Sequence, residues 1–96
     1  MKQGFLPAGR PAVLLAPMAG FTDRTFRLIC REFGADIVYT EMISAKGLLY
    51  KSEKSRALYE AKPGDEPFFV QLFGSDPAIL AKAAALIERE LGKQLL

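Results

Sequence analysis

The chain has 96 residues, half of them apolar, with 13 Lys and Arg against 11 Asp and Glu; this allows one small domain with a thin core and excludes a two-domain reading. One cysteine and no histidine leave no disulfide framework, no Ser-His or Cys-His catalytic pair and no histidine-containing zinc site, and they suit a reducing compartment. The net charge of +2 does not by itself announce nucleic acid, no apolar run reaches the ~18 residues of a membrane span, and the opening MKQGFLPAGRP lacks the apolar core of a signal peptide, so a cytoplasmic protein that does not bind membranes is expected.

Residues 12–16 form an apolar run that predicts a first strand, and Pro17, with no N–H to give a ladder, ends it. Pro17-Met18-Ala19-Gly20 then turns the chain with few large side chains, at the carboxyl end of a strand, where α/β folds place ligands. Phe26, Ile29, Cys30 and Phe33 follow at the spacing of one apolar helix face, with Thr22 or Asp23 as the cap and Gly34 as the end. ADIVYTEM, residues 35–42, is rich in β-branched and aromatic residues and predicts a second strand. The helical region 44–60 is weakened at Gly47 and offers Ser52 as a new cap, which allows two short helices in its place. After the Pro-Gly turn of AKPGDEP, FFVQLF (68–73) is a third strand, and Asp76-Pro77 opens a helix whose Leu80, Ala83, Ala84, Ile87 and Leu91 share a face and which closes at Gly92.

The order βαβαβα predicts an α/β fold of parallel strands joined by right-handed crossovers. Three such units do not close a (β/α)8 barrel, which takes about 250 residues. The sheet is then either open or part of something larger.

Gln71 is the residue least at home in its segment, because it interrupts a strand expected to be covered on both faces. A buried amide without partners costs about 1–3 kcal/mol, so Gln71 needs a partner: a neighbouring backbone group, solvent or a ligand. Alternation puts Phe69, Gln71 and Phe73 on one face, with Gln71 near the same sheet end as Pro17 and Met18. Glu41, at the end of the second strand, projects near that rim as an acid, a base or an orienting acceptor, or else caps the next helix or pairs with a lysine. Cys30 reads as a core residue. Arg24, Arg27 and Arg31 at helical spacing, with Lys46, Lys51, Lys54 and Arg56, make either a solvated face or a phosphate-backbone footprint. No Walker loop and no GxGxxG is present.

LAPMAGFTDRTFR (15–27), YTEMISAKGLLY (39–50) and PFFVQLFGSDPAILAKAA (67–84) together resemble the amino-terminal part of bacterial tRNA-dihydrouridine synthases, in order and spacing over residues 12 to about 91. The resemblance implies that residues 1–96 are the first three βα units of an FMN-binding TIM (β/α)8 barrel, truncated before its fourth strand. The parent enzyme, an oxidoreductase, would reduce uridine to 5,6-dihydrouridine in tRNA, with FMN as cofactor and NADPH as electron donor. Pro17, Met18 and Ala19 match the stretch that lines the flavin ring, where small residues let backbone approach a flat surface. Gln71 matches the glutamine that hydrogen-bonds the isoalloxazine edge, and Glu41 and Met42 match a block beside the substrate pocket for which no role is assigned.

Phe21 and Thr25 stand where this family often has valine and proline. The family's Asn-x-Gly-Cys-Pro block with its proton-donating cysteine, its substrate-holding lysine and histidine, and its glycine-rich phosphate site all match nothing within residues 1–96; Cys30 does not correspond to that cysteine. No catalytic residue and no metal ligand is therefore expected here, and the 96 residues alone are expected to be inactive and to self-associate. Two other readings remain open at this point: part of a different FMN-dependent TIM-barrel oxidoreductase, or a non-catalytic α/β remnant that persists by self-association.

Overall fold

A strand satisfies its backbone fully only between two neighbours, and in the computed structural model one strand has them, both running parallel to it. Residues 6–95 are described; Met1–Phe5, part of the opening read above for a signal peptide, and Leu96 lie outside them. The elements in chain order are β1 (Leu14–Leu15), α1 (Arg24–Glu32), β2 (Ile37–Ser44), α2 (Ala45–Leu49), α3 (Glu53–Ala57), β3 (Phe68–Phe73) and α4 (Pro77–Leu95). The sheet order is β1-β2-β3, all parallel, which agrees with the expected three βα units of a partial barrel.

The strand ends differ from those expected. β1 keeps only Leu14 and Leu15 in the ladder, opposite Ile37 and Val38. Just before it, Val13 N–H donates to the Asp36 carboxylate (2.8 Å) and Asp36 N–H to the Val13 carbonyl (2.7 Å), so a side chain takes over from the regular pattern. Arg10 forks onto that same carboxylate at 3.1 and 2.7 Å. β2 runs two residues further than expected because Ser44 ends the strand and caps α2 at once, its hydroxyl accepting the Gly47 N–H at 3.0 Å.

Region 44–60 is two short helices, and Ser52 caps the second by accepting from Ser55 N–H at 3.2 Å. Asp23, rather than Thr22, caps α1. Gly92 does not close α4, which continues to Leu95; Gln94 anchors this last turn by accepting the Ala61 N–H at 2.8 Å.

Residues opposite one another in the ladder share a side of the sheet. Tyr39 opposes Phe69, Met42 opposes Gln71 and Ser44 opposes Phe73, so Phe69, Gln71 and Phe73 do lie on one face. Met42, Phe69 and Phe73 are exposed on it, and the Tyr39 and Phe69 rings meet at 5.4 Å. On the other side Ile43, Ala45, Leu48, Tyr59, Ala83 and Ile87 form the buried core, with Val70 and Leu72 packed against it. Each large aliphatic side chain buried there is worth about 1.5–3 kcal/mol.

α1 departs most from its sequence pattern. Phe33 is 87% exposed, Ile29 is exposed and Cys30 only half-buried, whereas Arg27 is buried. The three arginines of α1 close onto the segment leading into β3, so they are neither a solvated face nor a phosphate footprint. Arg24 forks onto Asp65 at 2.6 and 3.0 Å, and Arg31 donates to the Asp65 carbonyl at 2.6 Å. Arg27 donates to the Thr22 carbonyl at 2.7 Å and the Glu60 carbonyl at 3.3 Å, with its guanidinium 5.7 Å from the Phe68 ring centre. Burial raises the pKa of the Asp65 carboxyl, but the Arg24 fork, the Lys62 N–H and the positive charges of Arg24 and Arg27 outweigh it and hold the group below the usual carboxylate range.

A carboxyl whose folded pKa is depressed adds stability that is fully present above its unfolded value of 3.8 and is lost as pH falls through the lower folded value. The stability gap between the chain and its Asp65→Asn variant should therefore be widest near neutrality and shrink between about pH 5 and about pH 2. Urea unfolding across that range checks it; a gap that does not change with pH would contradict the clamp. The outer edges of β1 and β3 have no strand beside them among the described residues, and Phe69 and Phe73 lie on an exposed face. Residues 1–96 on their own are therefore expected to associate. Sedimentation over a dilution series tests this, and a monomer that unfolds cooperatively at every concentration would refute it.

Candidate functional site

The turn after β1 is built around one carbonyl. Phe21 N–H and Thr22 N–H both donate to the Met18 carbonyl at 3.0 Å, and the Thr22 hydroxyl donates to it at 3.2 Å while accepting Met18 N–H at 3.1 Å. Thr22 is completely buried, and these bonds satisfy its hydroxyl. Gly20 sits at φ +81°, a conformation that a side chain disfavours, and nothing lies within 4 Å of where its Cβ would be. Ala19 and Gly20 are exposed, Pro17 is half-buried and Met18 is 40% exposed, which makes the shelf that the sequence suggests.

Glu41 holds the far end of that shelf: its carboxylate accepts the Gly20 N–H at 2.5 Å. Of the alternatives left open by the sequence, this contact has the form of an orienting acceptor. Glu41 neither caps α2, which Ser44 does, nor forms an ion pair with a lysine among the described residues.

Between Tyr39–Phe69 and Met42–Gln71 the register slips, so that Thr40 and Glu41 together face Val70 alone, a β-bulge. A bulge leaves a ladder donor unmatched. Here the Thr40 hydroxyl accepts the Gln71 N–H at 3.1 Å and donates to the Glu41 carbonyl at 2.9 Å. The turn at 17–20, Glu41, Met42 and Gln71 are thus strung together from the turn after β1 across the carboxyl halves of β2 and β3. Gln71 is half-buried, and its carboxamide has no hydrogen-bond partner among the described residues.

Thr22 and Thr40 are the residues of this rim that sequence reading missed. Both hydroxyls brace backbone, and the only signal was a threonine two residues after a small-residue turn and another directly before Glu41. Lys46, Lys51 and Lys54 are exposed, and Arg56 pairs with Glu90 at 3.3 Å. An open cleft of about 500 Å³ lies at the same sheet end, lined by Ser44, Lys46, Phe73, Ser75 and Asp76 among others. Among the described residues no group of three His, Cys, Asp or Glu is placed to hold a metal, and no helix is long and apolar enough to cross a membrane.

Parallel βα units that bring a small-residue turn and strand-end polar groups to one rim are the building plan of α/β barrel proteins. Comparison narrows this class. A family model described as dihydrouridine synthase matches residues 14–94. The tRNA-dihydrouridine synthase B of Pseudomonas aeruginosa is 48% identical over 84 residues, covering 88% of this chain and 25% of that protein. A probable tRNA-dihydrouridine synthase of Aquifex aeolicus is 43% identical over 79 residues (82% of this chain, 25% of that one), and the tRNA-dihydrouridine synthase B of Salmonella typhimurium 42% over 89 residues (91% and 27%). The chain belongs to the dihydrouridine synthase family. It spans about a quarter of the length of these curated relatives.

Proposed function

We propose that this chain forms the amino-terminal, flavin-facing part of a cytoplasmic tRNA-dihydrouridine synthase, the first three βα units of an FMN-binding barrel that reduces uridine to 5,6-dihydrouridine in tRNA with electrons from NADPH. The observation that carries the reading is Gln71: a half-buried carboxamide with no partner among the described residues, on the face shared with Phe69 and Phe73 and linked across the strands to the turn at Pro17, Met18 and Ala19. Both features fit a flat, polar-edged ring. The open space beside Gly20 admits close approach to backbone, and a carboxamide offers both a donor and an acceptor to a ring edge.

Bound at this rim, FMN would supply the hydride that reduces the uracil ring. The residues of this chain bind and orient. Pro17, Met18 and Ala19 give the ring a surface, Gln71 fixes its rotation by hydrogen bonding, and Phe69 and Phe73 keep water from the adjoining face. No group among residues 1–96 is assigned the protonation of the uracil ring. Cys30, on α1 and half-buried, sits outside the rim.

The test is a chimaera in which residues 14–94 of this chain replace the matching segment of the Pseudomonas aeruginosa relative. It should purify with FMN, and Gln71→Leu should weaken FMN retention about fivefold, the effect of one hydrogen bond contributing about 1 kcal/mol. Unchanged flavin content and an unchanged flavin spectrum in that variant would return Gln71 to a purely structural role. Residues 1–96 alone, given tRNA, NADPH and added FMN, should form no dihydrouridine; turnover above a no-protein control would overturn the assignment of this chain to binding alone.

A further inference from the structure

We infer that Glu41 is a positioning residue whose carboxylate sets the Pro17–Gly20 turn at a fixed distance from Gln71, so that the two flavin-facing elements act as one surface. The inference rests on the flavin-facing reading proposed above and assigns Glu41 a role within it.

A turn of small residues makes a good shelf only if it is held, because Gly20 has no side chain and Ala19 only a methyl group with which to pack. Thr22 fixes Met18, at the near end. The Gly20 N–H, at the far end, has the Glu41 carboxylate as its one partner among the described residues. A bond from an N–H to a charged acceptor is about twice as strong as a neutral one, and this one crosses from β1's turn to β2.

Glu41 is itself held by the bulge. Thr40, completely buried, donates to the Glu41 carbonyl and accepts the Gln71 N–H. Two consecutive residues therefore reach in opposite directions, Glu41 to the turn through its side chain and Thr40 to β3 through its hydroxyl. A regular strand would satisfy Gln71 N–H by the ladder and leave no such link; the extra residue is what allows it. Arg27 of α1 feels the Glu41 charge but is engaged with the Thr22 and Glu60 carbonyls and makes no ion pair with Glu41, leaving the carboxylate for Gly20.

The geometry separates an acceptor from a mere charge. Glutamine keeps an oxygen at the same reach, whereas aspartate keeps the charge but is one methylene too short. In the chimaera with the Pseudomonas aeruginosa relative, Glu41→Ala and Glu41→Asp should each lower FMN retention about tenfold, and Glu41→Gln should stay within about threefold of the parent. Hydrogen exchange at the Gly20 amide should quicken in the alanine and aspartate variants and remain protected in the glutamine variant, with thermal unfolding of all three still cooperative. If the alanine variant does not fold, the aspartate and glutamine pair gives the same decision. Retention that follows charge, with aspartate above glutamine, overturns the inference. So does FMN binding that is unchanged while Gly20 loses protection, and in that case the flavin-facing reading stands. A parent chimaera that folds and carries no FMN defeats that reading and this inference together.

Discussion

The pairing of β2 with a parallel neighbour on each side is the constraint from which the rest of this structure follows. β1 contributes only two residues to the ladder and β3 five, so the sheet depends on the eight residues of β2. Where β2 leaves regular pairing, at Thr40 and Glu41, the irregularity falls in the middle of the strand, and regular pairing resumes at Met42 and runs to the carboxyl end, where parallel folds collect ligands. Twist and register there are set by a hydroxyl and a carboxylate, which explains how a strand can serve both as the centre of a sheet and as a bracket for two neighbours.

Polar groups taken out of water are almost all matched, and the matches tie loops to strands. Thr22, Thr40, Arg27 and Asp65 are buried, and each bonds backbone: Thr22, Arg27 and Asp65 in turns and loops that have no ladder of their own, Thr40 where the ladder between β2 and β3 is broken. Among the described residues the exception is Tyr59, whose buried hydroxyl makes no well-formed hydrogen bond; burial raises its pKa, and the neighbouring Arg56 only partly opposes this. A lone buried hydroxyl costs about 1–3 kcal/mol, and the ring packed into the core beside Ile43 and Leu48 offsets it. The arginines of α1 belong to the same economy of matched groups. Their closure on Asp65 fixes the entry to β3, and hence the height at which Phe69 and Gln71 stand on the sheet.

Much of this was legible in the sequence because it depends on local chemistry. Proline after an apolar run, serine or aspartate before a helix and alternation in FFVQLF are local signals, and they led to the strands, the caps at Asp23, Ser52 and Asp76, and the shared face of Phe69, Gln71 and Phe73. The misreadings came where distant partners decide. Gly92 stays helical because Gln94 reaches back to Ala61, and α1 buries Arg27 instead of Phe33 because two carbonyls and an aromatic ring from other segments wait for a guanidinium. Helical spacing places residues on a face; it does not say what that face meets. The bulge was invisible for the same reason, since one residue of slip between strands leaves no trace in either strand alone.

Seen from the rim, the division of labour follows chain position. Residues that are buried and bonded to backbone, Thr22 and Thr40, set geometry, while the exposed or half-exposed ones, Met18, Ala19 and Gln71, keep free surface and free hydrogen-bonding capacity. Glu41 lies between these groups, half-buried, with its carbonyl bound inside the sheet and its carboxylate at the edge. On the proposed reading, an acid in that position does not have to donate or remove a proton to matter. By holding one N–H of a turn whose Ala19 and Gly20 offer little side chain to pack, it would give flexible backbone a defined height, and such a surface beside a carboxamide with no partner among the described residues suits recognition of a planar ring.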